Sequence, residues 1–175
     1  MDECHLLWGD ALGYAWGLKG QRVEVPITNE HQRQTYYGAL NLLTGRALTY
    51  PTVAGNGEQT VAFLKHLRQR FHGRPLLLIW DGVPYHRSAA VKTYLRTVNG
   101  DRPEEAWRIQ CVQLAPHAPE QNPMEDVWLG AKNHVRKMWY ALQSFLDVKR
   151  YFTTFVECHL CEFEKLNWYG RLQLI

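Results

Sequence analysis

The order of hydrophobic patterns along the chain predicts an α/β fold with a mixed sheet and helices on both of its faces. Strand-like segments fill the first part of the chain, and the tight turn at Thr44 and Gly45 predicts that they form an antiparallel meander. Helical and strand-like segments then alternate, which is typical of parallel strands joined by helices. The continuous apolar run from Leu76 to Trp80 predicts a strand that is covered on both faces.

The meander is predicted from segments of unequal clarity. Asp2 stands at the start of a short strand, and the residues from Tyr14 to Trp16 form a second candidate strand between turn residues. The stretch from Arg22 to Gln34 is typical of an edge strand followed by a loop. The clearest strand runs from Thr35 to Leu43, and after the turn it is followed by Arg46 to Tyr50.

Four helices and two strands are predicted after the meander, each from its period and its boundary residues. The helices are Glu58 to Phe71, Ser88 to Val98, a helix that begins at Pro123, and Phe145 to Phe163. The strands are Leu76 to Trp80 and Arg108 to Leu114.

The helix that begins at Pro123 combines an apolar stripe with charged side chains. Asn122 is a good N-cap, and Pro123 suits the first helical turn. The apolar residues at helical spacing are Met124, Val127, Trp128, Ala131, Val135 and Met138. Glu125 stands in the first turn beside the stripe, and Lys132 and Arg136 follow on nearly the same line. A carboxylate at the buried edge of a helix, followed by cations, suits a metal site next to a phosphate backbone.

Composition fits one globular domain and excludes several other classes of protein. The chain has 175 residues, 46% of them hydrophobic and 13% aromatic, which argues against disorder. A formal charge of +3 allows a nucleic-acid partner but does not argue for one. Four cysteines in a chain of this size do not make a disulfide framework. No apolar run approaches membrane-spanning length, so we expect a cytoplasmic protein with no membrane partner.

Three carboxylates are candidates for a functional site, and each has a simpler explanation. Asp81 ends the apolar strand, where open α/β sheets present ligands, but Asp81 and Gly82 also suit a turn. Glu125 holds the third helical position, where it could instead reach back to Asn122 in a capping box. Asp2 lies near the start of the chain, where acidic residues are usually only solvated. The residue pattern alone leaves these alternatives open.

Several segments in order resemble the catalytic domain of the DDE transposases of bacterial insertion sequences, which are related to the mariner superfamily. The matching segments are Asp2-Glu3, Lys19-Gly-Gln21, Tyr37-Gly-Ala-Leu40, Thr44-Gly45, Trp80 to Ser88 and Leu114 to Trp128. The most specific is Pro116-x-x-Pro119-x-x-Asn122-Pro-Met-Glu125-x-x-Trp128, close to the family's Pro-x-Ser-Pro-x-x-Asn-Pro-Ile-Glu-x-x-Trp. Gly82 and Ala118 depart from the family's usual Asn and Ser.

The resemblance implies a ribonuclease H-like fold in which Asp2, Asp81 and Glu125 are the catalytic, metal-binding acids. It also implies two Mg²⁺ ions, with Mn²⁺ as a substitute, because such ions activate a nucleophilic oxygen and stabilise the leaving oxygen at one phosphorus. The family cuts transposon ends with water and then joins the freed 3′-hydroxyl to target DNA. DNA is therefore the expected partner, and a homodimer is the expected assembly.

Three further side chains complete the expected site. His86 would orient phosphate or a metal-bound water, or else would be a loop histidine that caps the helix beginning at Ser88. Lys132 and Arg136 are expected phosphate contacts, although a solvated helix face explains them nearly as well. His86 stands where the family commonly has a histidine, and with Lys132 and Arg136 on the helix face it completes the set of expected DNA-binding residues.

We expect residues 1–140 to form the catalytic domain and residues 141–175 to form a helical extension packed on it. The protein is expected to act in the bacterial cytoplasm, at the nucleoid. The family carries further strand residues and helix-turn-helix modules ahead of its first acid, and the printed sequence begins at Met1. An inactive descendant that binds DNA or protein is therefore the main alternative. A third hypothesis is a different ribonuclease H-like nuclease, but the Asn-Pro-Met-Glu element argues against it.

Overall fold

The computed structural model describes residues 1–13, 18–21, 24, 31–116 and 118–169, and its strands form two hydrogen-bonded sheets. The strands are β1 Asp2–Leu7, β2 Arg33–Asn41, β3 Arg46–Thr52, β4 Leu76–Trp80 and β5 Ile109–Gln113. β1, β2 and β3 form an antiparallel sheet in that order, which confirms the predicted meander. β4 and β5 form a parallel pair. The strands predicted from Tyr14 to Trp16 and from Arg22 onward fall largely outside the described residues.

Five α-helices accompany the strands. They are α1 Gly57–Arg70, α2 Ala89–Asn99, α3 Pro123–Lys137, α4 Phe145–Cys158 and the short α5 Lys165–Trp168. The first four confirm the predicted helices, because each begins at a capping side chain that accepts a hydrogen bond from the first turn. The capping residues are Asn56, Ser88, Asn122 and Ser144. Among the described helices, none is long and apolar enough to cross a lipid bilayer.

The predicted end of α4 is wrong. The helix stops at Cys158, not at Phe163, and the chain continues in an extended conformation. Leu160 pairs with Arg46 in an isolated bridge, and the N–H of Cys161 donates to the carbonyl of Gly45 over 2.8 Å. Pairing with the turn between β2 and β3 therefore replaces the helical hydrogen bonds that the apolar spacing alone would favour.

Helices cover both faces of the antiparallel sheet, as predicted. Tyr36 and Tyr37 are neighbours in β2 and point to opposite faces, because side chains alternate along a strand. Tyr36 belongs to a buried cluster with the apolar stripe of α3 and with α4. Tyr37 belongs to a second cluster that contains residues of α1, α2, β4 and β5. The mixed α/β architecture with helices on both faces is thus confirmed.

β4 has one buried face and one face that is largely open. Leu78 and Trp80 are buried against α1 and α2, but Leu77 is 62% exposed. The prediction that this strand is covered on both faces is therefore wrong at Leu77. The backbone nitrogen of Met1 donates to the carbonyl of Ile79 over 2.8 Å, so the start of β1 lies beside the end of β4. This contact brings the ends of the two sheets that carry Asp2 and Asp81 together.

Candidate functional site

Asp2 is a buried carboxylate at the start of β1. It is 5% exposed, and its Oδ2 accepts a hydrogen bond from the indole Nε1 of Trp128 over 3.0 Å. Gly38 is the partner of Asp2 in the β1–β2 ladder. A Cβ atom on Gly38 would lie 2.3 Å from the Trp128 ring, so only glycine leaves room for the indole. The glycine in β2 and the tryptophan in α3 together hold the first predicted acid in place.

Asp81 follows β4 directly and is more accessible than Asp2. Its side chain is 36% exposed, and its Oδ1 lies 3.2 Å from Nδ1 of His86. The same oxygen accepts a weaker hydrogen bond from the N–H of Val83 over 3.4 Å. The second predicted acid is therefore fixed through one oxygen at the carboxyl end of a strand, where α/β proteins commonly bind ligands.

His86 is buried between two carboxylates. Its Nε2 lies 2.9 Å from Oε1 of Glu3, and its Nδ1 faces Asp81 on the other side of the ring. The imidazole stacks on Trp80 with ring centroids 4.6 Å apart, and Tyr85 donates from its hydroxyl to Oε2 of Glu3 over 3.1 Å. Burial lowers the pKa of His86, but hydrogen bonds to Asp81 and Glu3 outweigh it and raise this pKa to about 9. His86 is therefore an imidazolium that donates to both acids at neutral pH.

The alternative role of His86 as a helix cap is not what the structure shows. The cap of α2 is Ser88, whose side chain accepts a hydrogen bond from the N–H of Val91. The predicted role of His86 in binding DNA stays a prediction, and both of its ring nitrogens already face protein carboxylates.

Glu125 stands exposed in the first turn of α3, and the capping-box alternative is not observed. The cap of α3 is the Asn122 side chain, which accepts a hydrogen bond from the N–H of Met124 over 3.1 Å. Among the described residues, none donates a hydrogen bond to the Glu125 carboxylate. The carboxylate is close enough to Asp2 for its charge to raise the pKa of that residue. Glu125 is therefore an unengaged acid next to the buried Asp2.

The local charges push the pKa values of Asp2 and Asp81 in opposite directions. Burial, followed by the charges of Glu125 and Glu3, raises the pKa of Asp2 to about 7. Burial also raises the pKa of Asp81, but the hydrogen bond and charge of His86 outweigh it and leave this pKa below its usual value. Asp81 is thus ionised at neutral pH. Asp2, in contrast, is partly protonated and partly ionised near pH 7. Such divergence is common at functional sites.

Lys132 and Arg136 make contacts within the chain. Nζ of Lys132 donates to the carbonyl of His5 over 3.2 Å and lies 3.3 Å from a carboxylate oxygen of Asp10. Nε of Arg136 donates to the carbonyl of Leu12 over 3.2 Å. These contacts link α3 to β1 and to the segment that follows it, and the predicted phosphate contacts of both side chains stay predictions.

Neither Glu3 nor Tyr85 stood out in the sequence as a site residue. Among the described residues, the group of three metal-ligating side chains whose ligand atoms all lie within 4.8 Å of one another is Glu3, Asp81 and His86. Asp2 is outside this group because neighbouring residues of a strand point to opposite faces. Asp2-Glu3 was one of the segments that carried the family resemblance. The presence of Glu3 in that segment was the signal that could have identified it as a site residue.

The donor set suits a hard divalent cation. Asp2, Asp81 and Glu125 offer carboxylate oxygens, which Mg²⁺ and Mn²⁺ prefer. Burial, followed by the charges of Glu125 and Glu3, raises the pKa of Asp2, and a cation beside these acids would favour its ionised form. His86 faces Glu3 with one ring nitrogen and Asp81 with the other, so both nitrogens are already engaged by carboxylates. Asp2 and Glu125 lie outside the described group of Glu3, Asp81 and His86, and one metal site formed by Asp2, Asp81 and Glu125 stays a prediction.

Comparisons with known proteins agree with this fold. Three solved structures match 97% of this chain at 16–17% identity: a Mos1 transposase paired-end complex with the left transposon end, a Mos1 mariner paired-end complex with Mn, and a Mos1 strand transfer complex. Their TM-scores are 0.55, 0.56 and 0.56, which identifies the fold as ribonuclease H-like, and the chain spans 48–50% of their length. No curated protein sequence matches the chain. The family model described as DDE superfamily endonuclease matches residues 1–146. The chain therefore belongs to the DDE superfamily of endonucleases.

Proposed function

We propose that the chain is the catalytic domain of a transposase from a bacterial insertion sequence, a metal-dependent DNA endonuclease and strand transferase that acts on transposon ends. The observation that carries this proposal is the state of Asp2. It is 5% exposed and has a pKa of about 7, because it is buried and because Glu125 and Glu3 add negative charge beside it. A divalent cation would favour the ionised form of an acid in such surroundings, and two-metal cleavage of a phosphodiester would use a cation held by this carboxylate.

Asp2, Asp81 and Glu125 are the proposed metal-binding and catalytic acids. Two bound Mg²⁺ or Mn²⁺ ions would activate the attacking oxygen and stabilise the leaving oxygen of the scissile phosphate. The chain's own contribution is to hold the acids. Trp128 fixes one oxygen of Asp2, His86 fixes one oxygen of Asp81, and the first turn of α3 presents Glu125 to solvent. The exposed position of Glu125 gives the bulky duplex access to the site.

The remaining parts of the proposal concern partners and organisation. Lys132 and Arg136 are the proposed phosphate contacts, and each would exchange an intramolecular partner for DNA. The domain is proposed to act as a homodimer on DNA at the bacterial nucleoid, and the paired-end complexes of Mos1 support a two-ended DNA substrate. Residues 1–140 are the proposed catalytic domain, with residues 141–175 packed on it. In support of this packing, α4 shares a buried cluster with α3.

Nicking of supercoiled plasmid DNA tests the proposal. The parent chain, Asp81→Asn and Glu125→Gln are incubated with plasmid in Mg²⁺, in Mn²⁺ and in EDTA. We expect metal-dependent nicking by the parent and a loss of at least 100-fold in each variant, since each loses one ligand charge at the reacting phosphate. Circular dichroism of the two variants controls for folding.

Equal traces of nicking from all three proteins would indicate a contaminant and would favour the inactive, DNA- or protein-binding descendant. Activity that survives in Glu125→Gln alone would remove that residue from the site. Either result would contradict the proposed set of three acids.

A further inference from the structure

Glu3, His86 and Asp81 form a continuous bridge between two strands that share no ladder in the described structure. β1 pairs with β2, and β4 pairs with β5. A backbone contact from Met1 to Ile79 is the neighbouring link between the two sheets. The bridge runs from Oε1 of Glu3 to the imidazole over 2.9 Å and from the imidazole to Oδ1 of Asp81 over 3.2 Å. Side chains thus help to set the separation of β1 and the end of β4.

The bridge is held rigidly at each of its members. The side chains of Glu3 and His86 are 8% and 1% exposed. Trp80 stacks on the imidazole at an interplanar angle of 12°, and the hydroxyl of Tyr85 occupies the second oxygen of Glu3. A buried ring with one stacked neighbour and a partner on each nitrogen has little rotational freedom. The orientation of His86 therefore fixes the orientation of Asp81.

One oxygen of Asp81 is held by the bridge and the other is left available. Oδ1 faces Nδ1 of His86 and the N–H of Val83. Among the described residues, none donates a hydrogen bond to Oδ2 of Asp81. A carboxylate that is anchored through one oxygen presents the other in a defined direction, as expected of a metal ligand whose outer contacts are already in place.

We propose that Glu3 and His86 are positioning residues that set the distance and orientation of Asp81 relative to Asp2. Asp2 and Glu3 are neighbours in β1. A bridge anchored at Glu3 therefore fixes the position of Asp81 relative to Asp2, although the two acids lie at the ends of different sheets. This inference rests on the proposed metal site. It differs from the expected role of His86 at phosphate or at a metal-bound water, because the histidine acts through Asp81 and does not touch DNA or metal.

Two conservative variants distinguish the effect of the side-chain length of Glu3 from the effect of its charge. Glu3→Gln keeps an oxygen at the same distance from the imidazole and loses the charge. Glu3→Asp keeps the charge and shortens the side chain by one methylene, so the 2.9 Å contact is lost. If position is what matters, the glutamine variant retains metal affinity and the aspartate variant loses it.

Titration with Mn²⁺ alone measures the effect without reference to activity. Isothermal calorimetry at one fixed pH gives the Mn²⁺ dissociation constant of the full chain and its variants. We expect Glu3→Asp and His86→Ala to bind Mn²⁺ about 10- to 100-fold more weakly than the parent, as for other partners of metal ligands. Glu3→Gln is expected to stay within about threefold of the parent because the same hydrogen bond can form. The matched control is Glu157→Ala, which removes an exposed glutamate bonded to Thr49.

The outcomes separate this inference from the function on which it rests. Absence of Mn²⁺ binding by the folded parent would overturn the metal site itself. Parent-like affinity in both Glu3→Asp and His86→Ala would overturn the positioning role alone. Electron spin-echo spectra of Mn²⁺ bound to the parent give a test that needs no variant. The inference predicts no ¹⁴N coupling from a directly bound histidine, and such a coupling would make His86 a ligand.

Discussion

Replacing Asp2 by asparagine should stabilise the metal-free protein above neutral pH. The pKa of Asp2 is raised from its ordinary 3.8 to about 7, chiefly by burial and then by the charges of Glu125 and Glu3. The native state therefore keeps this proton up to about pH 7, whereas the unfolded chain releases it near pH 3.8. Since the native state binds more protons between these values, the contribution of Asp2 to stability falls as pH rises through that window.

The size of the effect follows from the same pKa values. Each pKa unit is worth about 1.4 kcal/mol, so ionised Asp2 costs the native state about 4 kcal/mol at pH 8. Asparagine removes this cost, and its oxygen can still accept the hydrogen bond from Trp128. The new amide N–H groups lose solvent at a cost of about 1–3 kcal/mol. The expected net gain in the free energy of unfolding is therefore about 1–3 kcal/mol at pH 8.

Urea unfolding in EDTA at a series of pH values from 4 to 8 measures this gain. In the difference between the unfolding free energies of Asp2→Asn and the parent, the contributions of groups that titrate equally in both proteins cancel. The gain should be smallest near pH 4 and grow until about pH 7, while Asp101→Asn on the surface should stay within about 0.5 kcal/mol at every pH. A variant that is equally or less stable than the parent at pH 8 would show that Asp2 is not a strained buried acid.

Three further results are expected from other contacts. Gly38→Ala should lower the free energy of unfolding by about 1–3 kcal/mol, because the added Cβ meets the Trp128 ring at 2.3 Å. The control Gly9→Ala has no heavy atom within 4 Å of its Cβ, and equal effects in urea unfolding would contradict this reasoning. Asn99→Ala should cost about 3 kcal/mol or more, because this buried amide bonds three backbone groups at the start of β5; a cost below 1 kcal/mol would argue against it. Mn²⁺ affinity should fall as pH drops below about 7, since Asp2 must lose its proton to bind, and calorimetry showing no pH dependence would exclude Asp2 as a ligand.

Local signals predicted most of the fold. The caps at Asn56, Ser88 and Asn122 mark helix starts because capping involves only the next two or three residues. The end of α4 was not predictable in this way, because it depends on the pairing of Leu160 with Arg46, which is distant in the chain. The spacing of hydrophobic residues predicts which face of a segment is buried. It does not predict which distant segment will take up the backbone hydrogen bonds in place of the helix.

The candidate acids were selected from the sequence, but the side chains that hold them were not. The family resemblance selected Asp2 and Asp81, and the structure adds the side chains that hold them. The bond from Trp128 to Asp2 joins residues 126 positions apart, and the contact of His86 with Glu3 joins residues 83 positions apart. The stripe on α3 predicted that Trp128 is buried but not that its N–H meets an acid. Partners at such separations depend on the tertiary fold, which no local pattern specifies.

The most direct test of the metal site compares Mn²⁺ binding by the parent with Asp2→Asn, Asp81→Asn and Glu125→Gln. Calorimetry at pH 8 gives the dissociation constant of each folded protein. If the three acids serve one site, each substitution weakens Mn²⁺ binding by at least about 10-fold, because each removes a charged oxygen ligand. If Glu125→Gln binds Mn²⁺ as tightly as the parent while the two aspartate variants do not, the three acids do not form the site that the account requires.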